Sequence, residues 1–361
     1  MAKHIEAYFD YMAKMGASDL HLPSGAPPIL RIHGQMQPIG ETALTAAQVV
    51  TMLKEVMSLE DIRKLGSVKN LDFAVQWNDP GPVFGKRFRA NAFIQKNGPN
   101  IVFRAINTKI PSFAELGLPK DLLKFTTFHQ GLILVTGATG SGKTSTLAAL
   151  INHINENRAA HIITVEDPIE YVHTNKKSLI NQRELGRDTE SFQMALKGAL
   201  REDPDVILIG ELRDLETIQL AVTAAETGHI VFGTMHTNSA SKTIDRIIDS
   251  FPTDQQAQVR TMLSESLKGV VAQQLIPRAN GKGRVAALEI LVGNLPMANL
   301  IREAKTFQIP SMIQVSRNQG MILMDDYIND LLNRGEITAA EATIRMVGKP
   351  QPPEPAKSGA R

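Results

Sequence analysis

The residues best suited to chemistry form one contiguous run, Gly137-Ala138-Thr139-Gly140-Ser141-Gly142-Lys143-Thr144, which fits G-x-x-x-x-G-K-[ST] at every position. Glycines at this spacing let backbone N–H groups turn inward around a polyphosphate, and a helix starting behind them adds a positive dipole. Lys143 would reach the β- and γ-phosphates. The Thr144 hydroxyl would ligate Mg²⁺, and Ser145 completes the nucleotide-binding run. The chemistry implied is the binding of a nucleoside triphosphate.

Further along lie groups that could act on such a ligand. Glu166, Asp167 and Glu170 fall within five residues behind an apolar run at 161–165. A carboxylate at the C-terminal end of a strand can orient or deprotonate an attacking water, and any of the three would serve. The plainer reading is an acidic loop that caps the next element. Glu211 follows the apolar run Val206-Ile207-Leu208-Ile209, the Walker-B arrangement, in which the acid holds Mg²⁺; being Glu rather than Asp, it is expected to do so through water. His229 and His236 bracket a strand at 230–235 and so lie at its opposite ends. Strand direction puts His236 near the phosphates, where it could donate to a γ-phosphate oxygen. Arg87, Arg89 and Arg104 sit on strands far upstream. They read either as a solvated strand face or as a cluster offered to phosphate, with Arg87 and Arg89 on one face of their strand.

These residues need elements to position them. Leu132 to Val135 reads as a buried strand, and Thr146 to Leu150 reads as the helix behind the loop, which is the strand–loop–helix context of a phosphate loop. Upstream, the pattern predicts helices over 3–15 and 45–57 and strands over 18–22, 29–33, 71–77, 87–93 and 101–105, a small α+β domain. Pro111, Gly117 and Pro119 mark 107–120 as a linker. Downstream, helices are predicted at 121–125, 188–201, 214–227, 238–249, 253–274, 299–304 and 324–333, with one more ending near 347. Strands are predicted at 161–165, 206–209, 230–235 and 284–290. The end, 348–361, is Pro-rich and polar and reads as a disordered tail.

Composition removes whole classes of function. The 39 basic and 37 acidic residues leave a net charge of +2, so the overall balance makes no electrostatic case for nucleic acid. The absence of cysteine excludes disulfides, iron–sulfur clusters and Cys-ligated zinc. Apolar runs such as 206–209 are too short to span a bilayer, and His4, Glu6 and Asp10 do not belong in a signal peptide. The expectation is a cytoplasmic protein that meets membranes only through partners.

The whole set of motifs resembles the secretion-type hexameric ATPases, in particular their pilus-retraction (PilT/PilU) branch. The likeness runs through ASDLHLPSGAPPILRIHG, RFRANAF, GATGSGKT, HIITVEDPIEYVH, NQRELGRDT, LREDPDVILIGELRDLETI, TAAETGHIVFGTMHTNSASKTIDRIID and LSESLKGVVAQQL. It implies an α/β fold: a RecA-like P-loop ATPase core at 121–290, a small N-terminal α+β (PAS-like) domain at 1–106, the linker, and a C-terminal helical segment at 291–347. The resemblance selects Glu170 as general base and Glu211 as the Walker-B acid. It implies phosphate-sensing roles for His229, His236, Arg89 and Arg104. It further implies Mg²⁺ and ATP, and a homohexamer, possibly mixed with a paralogue, at the inner face of the cytoplasmic membrane. That ring would move an inner-membrane platform protein to retract a pilus.

One stretch departs from the branch. Where it carries Ala-Ile-Arg-Asn-Leu-Ile-Arg-Glu, this chain has Pro296-Met297-Ala298-Asn299-Leu300-Ile301-Arg302-Glu303. Ala298 in place of arginine leaves ATP chemistry untouched and bears on coupling, so an accessory paralogue is a second reading. A ring subunit that binds ATP with little hydrolysis is a third, against which the intact Glu170, Glu211, His229 and His236 stand. Pilus-assembly and type II secretion ATPases are expected to carry further N-terminal domains and a Cys-rich insert, and the lack of cysteine argues against them.

Overall fold

A computed structural model describes residues 4–32, 35–77, 86–106 and 109–346. The chain divides into two compact units, Met1–Lys109 and Ile110–Arg361.

The first unit runs α1 (His4–Lys14), β1 (Asp19–Pro23), β2 (Ile29–Ile32), β3 (Gln35–Pro38), α2 (Ala46–Val56), α3 (Leu59–Val68), β4 (Asn70–Gln76), β5 (Arg87–Gln95) and β6 (Gly98–Ile106). The strands form one antiparallel sheet in the order β3-β2-β1-β6-β5-β4. Alternation sorts its two faces. Leu20, Leu22, Phe88, Ala90, Ile101 and Phe103 are buried in one core with Ile5, Phe9 and Met12 of α1. Phe9 is the centre of that core. Its ring stacks on Phe88 at 4.2 Å and meets Phe103 and Trp77 edge-on at 4.9 and 5.0 Å. The other face carries a cross-strand row in register, Arg31, Asp19, Arg104 and Arg89.

The second unit begins with α4 (Phe113–Leu116) and a 3₁₀ turn (Lys120–Thr126), then β7 (Gly131–Thr136), α5 (Lys143–Asn157), β8 (His161–Glu166), β9 (Leu179–Glu184), α6 (Phe192–Ala199), β10 (Val206–Ile209) and α7 (Leu215–Glu226). It continues with β11 (Ile230–Met235), α8 (Ala240–Asp249), α9 (Gln256–Ser266), β12 (Leu267–Pro277), β13 (Arg284–Val292), α10 (Leu295–Arg302), α11 (Ile309–Val315), α12 (Met324–Asn333) and α13 (Ala339–Arg345). The seven strands follow the order β13-β12-β7-β11-β10-β8-β9, parallel throughout except for β12 with β13. The chain passes from β7 over β11 and β10 to reach β8, so the strand order reverses beside β7. The crevice at the carboxyl ends of these strands is where such sheets bind ligands. No helix among the described residues is long and apolar enough to cross a membrane.

Several elements differ from the sequence expectation. The helix expected over 253–274 ends at Ser266, and Leu267–Pro277 is a strand instead. Val270, Val271 and Ala272 are buried on both faces, and a short fully apolar run does not reveal its period. Edge strands β3 and β9 and helix α3 escaped prediction: β3 is exposed along its length, and β9 reads LINQRE, too polar to announce itself. The expected linker is folded within its described part. Ser112 and Glu115 form a capping box, and Gly117 at φ +66° closes the turn. Helices α10 to α13 complete the core of the second unit: Ile301 and Ile313 bury with Leu132 and Leu134, and Ile328 and Leu331 bury with Ile133 and Val135. The tail expected at 348–361 lies outside the described residues.

Because Trp77 is the one tryptophan of the chain and touches Phe9, its fluorescence reports the first unit alone. Phe9→Ala should lower that unit's stability by about 3–5 kcal/mol, read from Trp77 emission during urea unfolding.

Candidate functional site

Strand β7 is buried from Gly131 to Thr136 and delivers the chain to a loop whose tip, Ala138 to Gly140, is open to solvent. The loop is anchored at its start, where the Gly137 N–H donates to Met235 O on β11 at 3.2 Å. Gly137 has φ +143°, and a Cβ there would stand 2.2 Å from Gln273 O of β12. Gly142 has φ +88° and caps α5, whose first residue is Lys143. The N-terminus of α5 therefore points into the loop.

Gln273 supplies a second anchor, one that no motif marks. Its buried amide donates to Ser141 O at 2.8 Å and accepts from the Thr146 hydroxyl at 2.7 Å, spanning the loop and the first turn of α5. Only the register of β12 on β7, where Ala272 pairs with Thr136, puts it there.

Lys143 is buried and donates to the carbonyls of Gly137 at 2.8 Å and Ala138 at 3.2 Å. Burial lowers its pKa below the usual lysine value, opposed by the negative charges of Glu211 and Glu170. Both carboxylates are thus close enough to be felt at the loop's cation.

Glu211 sits past the end of β10. Arg213 Nε lies 2.6 Å from its Oε1 and His236 Nε2 lies 2.9 Å from the same atom. Burial pushes the Glu211 carboxyl up, but the hydrogen bond from Arg213 and the charges of His236, Arg213 and Lys143 outweigh it, so its pKa lies below the ordinary glutamate value. Sequence reasoning missed Arg213, an exposed arginine with no motif to mark it.

The structure places the three carboxylates of the acidic loop differently. Glu166 is buried and accepts from Thr164 Oγ1 at 2.7 Å and Gln182 Nε2 at 3.2 Å. Asp167 is exposed, and its charge acts on Arg213. Glu170 is exposed, and its charge acts on Lys143. Strand β9 straps the loop down: Gln182 bonds Tyr171 O and the His173 N–H, and Glu184 accepts from the Ile169 N–H at 3.0 Å. The Tyr171 hydroxyl lies 2.8 Å from Ser145 Oγ, tying the loop that carries Glu170 to the start of α5.

The remaining candidates are placed apart. His236 follows β11 directly and joins Glu211. His229 precedes β11 and lies at the opposite end of the sheet. Its Nδ1 is 3.1 Å from Ala224 O at the end of α7, and its own carbonyl accepts from Gly131, where β7 begins. Within its own unit, His229 is therefore not gathered with the loop. Arg89 and Arg104 belong to the first unit and are exposed; Arg104 Nε pairs with Asp19 at 2.8 Å. Arg87, expected to share their role, is buried instead.

Comparison with known proteins adds to this geometry. A family model described as type II/IV secretion system protein matches residues 1–301. The chain is 48% identical over 332 residues to the type IV pilus retraction ATPase PilT of Pseudomonas aeruginosa, covering 92% of this chain and 95% of that one. It is 41% identical over 331 residues to the type IV pilus ATPase PilU of the same organism, covering 92% and 85%. A crystal structure of the pilus retraction motor PilT with bound ADP matches with a TM-score of 0.89 at 44% identity, over 96% of this chain and 98% of that one.

The strapped loop carries a pH-sensitive group, His173, whose backbone N–H donates to Gln182 of β9. Burial, aided by Lys176, lowers the pKa of His173 to about 4. Between pH 6.5 and 4 the unfolded chain takes up a proton that the folded chain refuses, so this stability is complete above 6.5 and lost as pH falls. Urea unfolding at pH 7 and pH 4.5 should show a loss of roughly 2–3 kcal/mol from this group. His173→Gln should remove that share of the slope; an unchanged slope would place the acid sensitivity elsewhere.

Proposed function

This chain belongs to the type II/IV secretion system protein family, and on that premise we propose that it is an ATP-hydrolysing motor that powers the retraction of a type IV pilus. The observation that carries the reading is the convergence of Lys143, Glu211 and Glu170 on one phosphate loop, in a chain similar over nearly its whole length to a pilus retraction ATPase.

The chemistry follows from the groups in place. A triphosphate in the loop accepts hydrogen bonds from the backbone N–H groups of 138–144 and from Lys143, which exchanges its bonds to Gly137 O and Ala138 O for phosphate oxygens. The Thr144 hydroxyl and the Glu211 carboxylate are hard oxygen donors of the kind Mg²⁺ takes alongside phosphate and water, so the residues present suit that ion. Bound there, Mg²⁺ would neutralise charge developing on the β- and γ-phosphates. Glu170, exposed and held by the strap from β9, is assigned to orient and deprotonate the attacking water. His236, already beside Glu211, is assigned to the γ-phosphate. Arg89 and Arg104 are assigned to phosphate oxygens when the units of a hexameric ring close, and His229 to contacts made in that ring rather than to its own loop. The work would be delivered to an inner-membrane platform protein from the cytoplasmic side.

A second reading, an accessory paralogue of the PilU kind, rests on Ala298, which is buried on α10 where the retraction branch has arginine. The higher identity to PilT than to PilU weighs against it. Deleting the chain's gene should give cells that carry excess surface pili and do not twitch, and Lys143→Ala should fail to restore motility and lack ATP turnover. Loss of surface pili on deletion, or normal turnover by Lys143→Ala, would refute the proposal.

A further inference from the structure

Glu289 is a buried carboxylate for which the chemistry above has no use. It lies on β13 opposite Ala272, the neighbour of the loop anchor Gln273. Its two oxygens serve two different helices. Oε1 accepts from the Ala240 N–H at 2.7 Å, the first residue of α8. Oε2 faces the Met324 N–H at 3.5 Å, the first residue of α12.

Each helix start belongs to a different part of the machine. α8 begins four residues after His236, and the intervening turn is stiffened by Thr243 Oγ1, which donates to Ser239 O at 2.7 Å and lies 2.7 Å from Thr237 Oγ1. α12 opens the last helical pair, and the chain just before it is bonded to β13 by the reciprocal pair Ile290 and Ile322 at 2.9 and 3.1 Å. A buried carboxylate that loses a donor is left with an unpaid desolvation cost, so both helix starts are held to it. α8 has a second tie to the C-terminal helices: Asp245 accepts from the Thr306 hydroxyl at 2.7 Å, and Ile244, Ile247 and Ile248 bury with Met297, Ile301, Ile309 and Ile313.

We propose that Glu289 is a positioning residue that makes the turn behind His236 and the C-terminal helices move together, so that the state of the phosphate site is passed to residues 295–333. The path runs from Glu211 and His236 through the start of α8 to Glu289, and from there to α12, with Asp245 and Thr306 in parallel. The segment that departs from the retraction branch, including Ala298, lies on α10 within the region this path reaches. The inference rests on ATP being the ligand of the phosphate loop.

Hydrogen exchange of the full-length protein, with and without a non-hydrolysable ATP analogue and Mg²⁺, tests it. In the wild type the analogue should slow exchange in the loop and the start of α5 and also change exchange across 295–333. Glu289→Ala should keep the loop response and reduce the response across 295–333 by about fivefold or more, with KM for ATP within about twofold and kcat down by about tenfold. Glu289→Gln, which fills the same volume and keeps one acceptor, should respond in between; should the alanine variant not fold, a full wild-type response in Glu289→Gln overturns the proposal. A full response across 295–333 in Glu289→Ala, or none in a wild type whose loop is protected, overturns it as well. Failure of the analogue to protect the wild-type loop would instead refute the ATP reading, and this inference with it.

Discussion

The phosphate loop is held closed by a backbone contact that leaves no room for a side chain. A Cβ on Gly137 would stand only 2.2 Å from Gln273 O, and the Gln273 side chain bonds Ser141 O of the same loop. Everything that positions the loop depends on β12 lying against β7 in one register. A shift by one residue would turn Gln273 to the other face of the sheet and remove both anchors. β13 pairs with β12 from Gly269 to Pro277, and the C-terminal helices bury against the same sheet, so the nucleotide site and the helices furthest along the chain share one scaffold.

Charge is balanced within that scaffold by its own groups. Lys143 donates to two carbonyls of its own loop, and Glu211 is occupied by Arg213 and His236. An unpaired buried charge would be costly, whereas hydrogen bonds to a charged group contribute about 1.5–3 kcal/mol each. Under the proposed function, nucleotide binding would be an exchange of partners, in which Lys143 leaves the carbonyls of Gly137 and Ala138 for phosphate and Glu211 leaves Arg213 to help hold Mg²⁺. In that reading the same exchange would release His236 from Glu211, which is where the proposed link through the start of α8 begins.

What the sequence made legible was local. The phosphate loop is contiguous, and its strand and helix flank it directly, so its geometry followed from the run of residues itself. Glu211 was legible because a buried parallel strand is a recognisable block, and the spacing of His229 and His236 placed them at opposite ends of β11, as found. What could not be read depended on distant partners. The residues that hold Glu166 and strap the loop behind it are Gln182 and Glu184, on an edge strand too polar to recognise, while Asp167 and Glu170 are both left exposed. Gln273 lies in a run whose apolar residues suit either a helix or a buried strand. Arg87 and Arg89 share a strand face by simple alternation, but alternation says nothing of what lies above each position, and only Arg89 is exposed.

The proposed motor chemistry requires Glu170 to act in the chemical step rather than in binding. The direct measurement is ATP affinity and single-turnover hydrolysis of Glu170→Gln beside the wild type. The expected result is affinity within about threefold and a hydrolysis rate lower by roughly 10²–10⁴-fold, the range for loss of a positioned general base. A hydrolysis rate within about twofold of wild type would contradict the account and return the role of base to another group.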